Sequence, residues 1–298
     1  MNKIIEYLST FPDFNNILNN NKDLSALNDE SLVFILACKF MNKPENILIV
    51  KENLLAAQNA YNLLVKSLPD NCYLYCVDEV TKFTSLATSP EMQASRIYIL
   101  SKLFSQEKVI IVTHTMALKR LTPSVDIFKK NQINLKINME YDYKNLITRL
   151  TKLGYKNVLQ VSQSFEFSYR GGVIDVFSIN YSSPLRIEFF DNVIEDIRFF
   201  DVETQRTTSK AKECLINPAC EFLTDNLDAG IEKIQLELKK QLPKTTNNLL
   251  LEDKVNNDIE RILNYDFDES LFKYYAFFND YGNLLDYFKD YKCYLWNN

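Results

Sequence analysis

Residues 167–200 read FSYRGGVIDVFSINYSSPLRIEFFDNVIEDIRFF. The runs VIDVFSI, LRIEFF and VIEDIRFF follow one another with no room for a helix between them, so they read as strands of an antiparallel sheet. In LRIEFF the two-residue period puts Leu185, Ile187 and Phe189 on one face and Arg186, Glu188 and Phe190 on the other. With the first set turned to a core, Phe190 is an aromatic ring presented to solvent on the face that carries Arg186. Asp191-Asn192 is an efficient tight-turn pair before the returning strand. Gly171 and Gly172, two of only five glycines in the chain, sit between Arg170 and the strand that starts at Val173. They permit a bulge or the close approach of another backbone.

Working outward, INLKI at 133–137 and NVLQV at 157–161 are strand-like. YDYKNLITRLTKLGY at 141–155 reads as an amphipathic helix, with Leu146, Ile147, Leu150 and Leu153 on one stripe and Gly154 at the C-cap. Residues 126–210 therefore form a small α+β domain dominated by antiparallel sheet. Before it, the strand candidates NILIV (46–50), CYLYCV (72–77) and KVIIVT (108–113) alternate with helical spacing at 52–68 and 89–105. SLVFIL at 31–36 is either a strand or the start of a helix running through ACKF. Short continuous strands separated by helices point to a parallel sheet covered on both faces. From about 211 the chain turns helical, with IEKIQLELKKQL at 231–242 as a helix. The tail reads as a helix and then a strand still running at the last residue, which suits a piece of a longer protein or a strand that pairs within the first domain.

Composition narrows the function classes. The 298 residues carry 46% apolar and 24% charged side chains with a net charge of −5, enough for a real core and too acidic for a basic nucleic-acid glove. No secretory signal is evident, and the longest apolar runs, such as LVFILAC at 32–38, are too short to cross a bilayer. The six cysteines read as reduced thiols, and Cys72 and Cys76 in CYLYC do not read as a zinc site. A phosphate-binding loop needs glycines followed by Lys and Ser or Thr. The first glycine is Gly154 and no GKT or GKS occurs; the place expected for such a loop reads SALNDESLVFIL. A dinucleotide fingerprint fails for the same reason. His114, the single histidine, accompanies no nucleophile motif and reads as a structural or loop residue, and VDE at 77–79 as a cap or turn.

Two readings of the opening segment remain. In one, the glycines make a bend, Arg170 pairs with a carboxylate and Phe190 packs beneath a loop. In the other, arginine and aromatic residues form a patch of the composition that supplies interface hot spots. A nucleic-acid surface is disfavoured by the interleaved Glu188, Asp191, Glu195 and Asp196.

YRGGVIDVFSINYSSPLRIEFFDNVIEDIRFFDVETQRT, 169–207, closely resembles a segment shared by the bacterial transcription-repair coupling factors and the excision-repair protein UvrB. RGG-x-x-D-x-F, P-x-R-x-E-F-F and F-D-x-x-T-Q-R carry the likeness, and the TQR ending and second glycine favour the coupling factors. It extends weakly through ITRLTKLGYKNVLQVSQSFEFS and INPACEF, and the overall order fits the family's N-terminal UvrB-like module. The resemblance implies an α/β fold: a degenerate RecA-like P-loop NTPase domain with a parallel sheet, carrying an inserted small α+β domain with an antiparallel sheet. Its parts are 1A at 1–125, domain 2 at 126–210 and 1B at 211–298. Asn297 and Asn298 stand where the family has an acidic pair.

Further implications concern function. Domain 2 of the family recruits UvrA through two arginines and a phenylalanine, which fall by motif on Arg170, Arg186 and Phe190. Asp175 and Glu188 support the arginines, and Gly171 and Gly172 shape the backbone. The segment itself is implied to be non-catalytic, cytoplasmic and monomeric, with no cofactor, metal or membrane partner. ATP and magnesium belong to the family's motor domains, and DNA and RNA polymerase are contacted through other regions. The alternatives are a UvrB-like DNA-handling module and a structural or autoinhibitory domain of a DNA translocase.

Overall fold

A parallel sheet forms where the sequence supplies short, continuous apolar runs: β1 (Ile47–Lys51), β2 (Cys72–Tyr75) and β3 (Ile110–His114), joined by the last strand, Lys292–Leu295. The order is Lys292–Leu295, β1, β3, β2, all parallel, with Ile47 opposite both Lys292 and Ile110. Every residue of β1 and β3 is buried, as a sheet covered on both faces requires. The closing strand of the tail thus finds its partner in β1, about 245 positions earlier in the chain.

The computed structural model describes residues 28–77, 90–104, 107–244, 248–278 and 281–295, together with positions 7–8, 10–12 and 16. Asp78 and Glu79, and the terminal Asn297 and Asn298, lie outside the described residues. Two units are distinguished. One draws on 1–84, 102–120 and 284–298, the other on 85–101 and 121–283. Among the described residues no helix is long and apolar enough to cross a membrane, and all six cysteines are free thiols.

In the first unit, SLVFIL belongs to helix α1 (Asp29–Asn42), not to a strand. Asn28 caps it by accepting the Ser31 N–H, and Asp29 and Glu30 complement the positive end of the helix dipole. The described part of SALNDESLVFIL, from Asn28 on, is therefore a cap and helix. The connection from the first strand to its crossover helix α2 (Leu54–Leu64) is Glu52-Asn53 alone. Val33, Leu36, Ala37 and Phe40 of α1 pack with Ala57, Ala60 and Leu64 of α2 against Ile47, Ile49, Ile110 and Val112 of the sheet. His114 ends β3 fully buried, its Nε2 accepting the Val77 N–H at 3.3 Å, which makes it structural.

The second unit contains α3 (Pro90–Lys102), apart from its last residue, with β4 (Thr122–Pro123), α4 (Val125–Lys130), β5 (Ile133–Lys136) and α5 (Tyr143–Lys152). There follow β6 (Lys156–Asn157), β7 (Glu166–Arg170), β8 (Val173–Val176), β9 (Leu185–Phe190), β10 (Val193–Phe200), β11 (Thr207–Ala211) and β12 (Glu213–Ile216). Helices α6 (Leu227–Gln241) and α7 (Asn248–Leu263) precede β13 (Tyr281–Gly282). Strands β11-β10-β9-β8-β7-β6 make one six-stranded sheet, antiparallel except for the short parallel pair β6–β7.

Several expectations change here. Within NVLQV only Asn157 is strand, because Glu166 accepts the Ser162 and Gln163 N–H groups and turns the chain back into β7. FSYR is itself a strand, β7, and ECLI forms β12, which pairs antiparallel with β5 before the chain turns helical at Leu227. The tail's helix is a single 3-10 turn, Leu284–Tyr287.

Helix α5 lays Leu146 and Leu150 into the core, with Leu153 buried behind them and Ile147 half-buried. It ends in a Schellman closure: Gly154 N–H donates to Thr151 O and Tyr155 N–H to Leu150 O, with Gly154 at φ +87°. Across the unit, Arg96 of α3 meets Glu221 in a bidentate ion pair (Nε–Oε1 3.1 Å, Nη2–Oε2 2.8 Å) with both side chains almost fully buried. Removing one partner strands a buried charge. We expect Glu221→Ala to lower stability in urea unfolding by roughly 3–5 kcal/mol.

Gly171 and Gly172 form the two-residue turn between β7 and β8, at φ +57° and +83°. Arg170 pairs directly with Val173, so the pair is a turn rather than a bulge. A Cβ on Gly172 would lie 3.2 Å from Phe189 O, which is on the neighbouring strand. Gly172→Ala should therefore destabilise the protein by about 1–2 kcal/mol, read as a lowered thermal midpoint.

Candidate protein-docking face of the six-stranded sheet

The alternation read in LRIEFF is present in the structure. Leu185 and Ile187 are fully buried and Phe189 half-buried, while Arg186 and Glu188 are half-buried and Phe190 is 67% exposed. On β8, Ile174 and Val176 go inward and Val173 and Asp175 outward. On β10, Ile194 and Ile197 go inward, and a bulge between Ile194 and Asp196 keeps the outer face in step.

Cross-strand register turns this into a grid. One row runs Ser168, Asp175, Arg186, Arg198, Lys210. The next runs Arg170, Val173, Glu188, Asp196. A third joins Phe190 to Val193 and then to Glu140. Arg170, Arg186 and Phe190 accordingly share one face of the sheet, from strands β7 and β9.

The two arginines are held differently. Arg186 makes a fork on Asp175, Nε to Oδ1 and Nη2 to Oδ2 at 2.7 Å each, and Nη2 also donates to Gln205 Oε1 at 3.2 Å. Its guanidinium lies 4.4 Å from the centroid of the buried Phe200 ring. The Asp175 hydrogen bonds push the Arg186 pKa further above its already high range. Arg170 is exposed, and no hydrogen bond or ion pair engages it among the described residues. Glu188 pairs with Arg198 instead of either candidate arginine, and Arg198 also donates to Asp196 at 2.7 Å.

Gln205, Phe200 and Arg198 were not singled out from the sequence, although the F-D-x-x-T-Q-R motif contained the first two. Its parts act together. Asp201 Oδ1 accepts from Thr204 N–H (2.8 Å) and Oγ1 (2.7 Å), which closes a tight loop. Gln205 N–H then donates to Asp201 O, and its side chain donates to Val202 O while accepting from Arg186. Chemically the face offers guanidinium donors, an exposed ring and paired carboxylates. That composition suits recognition of another protein surface. Among the described residues no group of three His, Cys, Asp or Glu side chains could hold a metal ion.

Residues 133–222 match the family model of the UvrB interaction domain. The transcription-repair-coupling factor of Bacillus subtilis is 31% identical over 264 residues, 84% of this chain and 22% of that protein. Those of Staphylococcus epidermidis and Staphylococcus aureus are 29% and 28% identical, over 80% and 84% of this chain. The chain is homologous to the bacterial transcription-repair coupling factors. It spans about a fifth of the length of these relatives. The sheet face that carries Arg170, Arg186 and Phe190, with the Asp201 loop, lies inside the matched domain.

The loop beneath Arg186 can be probed by pH. Hydrogen bonds from Thr204 N–H and Oγ1 hold the Asp201 carboxyl below its ordinary range. A depressed carboxylate stabilises the fold above its unfolded pKa and loses that contribution as pH falls through the folded value. Carboxyl NMR titration should place Asp201 below an ordinary aspartate, with the midpoint moving up in Thr204→Val.

Proposed function

We propose that this chain is a non-catalytic docking module of a transcription-repair coupling factor and that it recruits UvrA to stalled RNA polymerase through Arg170, Arg186 and Phe190. In this reading residues 126–210 are the UvrA-interaction domain. They are inserted into a degenerate RecA-like domain built from 1–125 and 211–298. The parallel sheet with a glycine-free β1–α2 connection supports that arrangement. ATP, magnesium and DNA are handled by other regions of the intact protein.

The observation that carries the proposal is the exposure of Phe190 on the sheet face it shares with both arginines. A large ring at 67% exposure at the end of a well-buried strand gains a desolvated contact only when a partner covers it. Arg170 supplies a mobile fork for acidic or carbonyl acceptors. Arg186, its Nε and one Nη2 edge already engaged, presents Nη1 in a fixed plane. DNA handling is the weaker reading, because Glu188, Asp191, Glu195 and Asp196 line the same end of the sheet.

Isothermal titration of UvrA tests this. Arg170→Ala and Phe190→Ala should each weaken binding by about 1 kcal/mol or more, roughly fivefold, with unchanged thermal midpoints. Wild-type affinity in the double variant rejects the assignment.

A further inference from the structure

The docking face extends past the three motif residues. Val193 stands directly opposite Phe190 across the β9–β10 turn and is 39% exposed, an unusual place for a valine in a hairpin whose neighbours, Asp191, Asn192 and Glu195, are polar. Glu140 in turn bridges Val193 from the other side, between the bonds Ile194 N–H to Met139 O and Tyr141 N–H to Asn192 O. Directly opposed residues of an antiparallel pair project to the same face, so Phe190, Val193 and Glu140 stand in one outward row. Val173, half-buried, lies diagonally beside Phe190 and pairs with Arg170.

The charges around this strip are unevenly satisfied. Asp175 is taken by Arg186, and Glu188 and Asp196 by Arg198. Among the described residues no ion pair or hydrogen bond engages the side chains of Arg170 or Glu140. What remains for a partner, among the described residues, is the cation Arg170 at the β7 side, an apolar middle, and unpaired acids at the β9–β10 turn side, where Glu140 stands with the exposed Asp191 and Glu195.

We infer that Arg170, Val173, Phe190, Val193 and Glu140 form a polarised docking strip, whose occupant presents an acidic group, an apolar pocket and a basic group in matching order. The inference rests on the docking reading above and names the partner as the protein that reading supplies. The unpaired ends set the orientation of approach, because a reversed partner would place like charges together at both ends. The apolar middle provides the desolvated contact, with Val193 enlarging the surface that Phe190 alone would cover.

The test is a titration of purified UvrA with wild-type chain, Phe190→Ala, Val193→Asp, Glu140→Gln and Glu140→Lys, at low and high salt. Circular dichroism and thermal midpoints check that these exposed positions leave the fold intact. The strip predicts that Val193→Asp weakens binding at least about fivefold. It also predicts that Glu140→Lys weakens binding more than Glu140→Gln, with the gap closing at high salt as screening grows. UvrA binding that is lost in Phe190→Ala but unchanged in Val193→Asp and Glu140→Lys overturns the strip and leaves the docking reading standing. No binding of UvrA by the folded wild-type chain overturns both.

Discussion

Two connections of two residues each hold the antiparallel sheet in register, and the outward face exists only because of that register. Gly171-Gly172 sets β7 against β8, and Asp191-Asn192 sets β9 against β10, with Asp191 itself at φ +51°. A slip of one residue in β9 would bury Arg186, Glu188 and Phe190 and expose Leu185, Ile187 and Phe189. Ile174, Val176, Leu185, Ile187, Ile194 and Ile197 are all completely buried. At roughly 1.5–3 kcal/mol for each such side chain, losing even half of them is comparable with the whole stability of a domain. The apolar face thus specifies the polar face without touching it.

On the outer side, ion pairing decides which groups are available. Asp175 fixes Arg186 in a plane above Phe200, and Gln205 closes the remaining edge of Nη2. Arg198 gathers Glu188 and Asp196, so the acids that dominate the local sequence are largely spent on the sheet itself. Held in this way, Arg186 has less rotamer freedom left to lose than the exposed Arg170, so the face carries one rigid and one freer guanidinium. The F-D-x-x-T-Q-R loop, ten or more residues further along the chain, is what makes that rigidity local.

How much of this could be read from the sequence depended on the range of the interaction. The period-two alternation of LRIEFF is local and led directly to the exposed ring. NILIV, CYLYCV and KVIIVT declared their strands by composition, and β1, β2 and β3 occupy them. SLVFIL did not declare itself, because α1 buries Val33, Ile35, Leu36, Ala37 and Cys38 in succession and shows no helical polar face to betray its period. FSYR and ECLI escaped because strands of four or five residues carry little pattern of their own; each is strand because a partner, β8 or β5, completes it. The Arg96–Glu221 pair joins residues 125 apart, and the Gln205–Arg186 bond joins two segments that look unrelated when read separately. Val193 and Glu140 were invisible for the same reason, since only the bridge between them reveals a shared face.

The parallel sheet of the first unit adds a constraint on function. Ligands of open α/β sheets bind beyond the carboxyl ends of the strands, where helix N-termini offer free amide N–H groups. In this chain some of the N–H groups at that edge are used internally. Asn53 Oδ1 takes the Ala56 N–H at the start of α2 at 2.9 Å, and the buried His114 takes the Val77 N–H just past β2. Thr115 Oγ1 donates to Glu52 O across the same edge at 3.0 Å. A two-residue β1–α2 connection without glycine also brings no backbone cradle to that edge. The Asn53 cap and the His114 acceptor each take one N–H at this edge, while the short helix Thr115–Leu118 has no side-chain cap. The exposed Phe190 ring and Arg170, unpaired among the described residues, are found on the sheet face of the other unit.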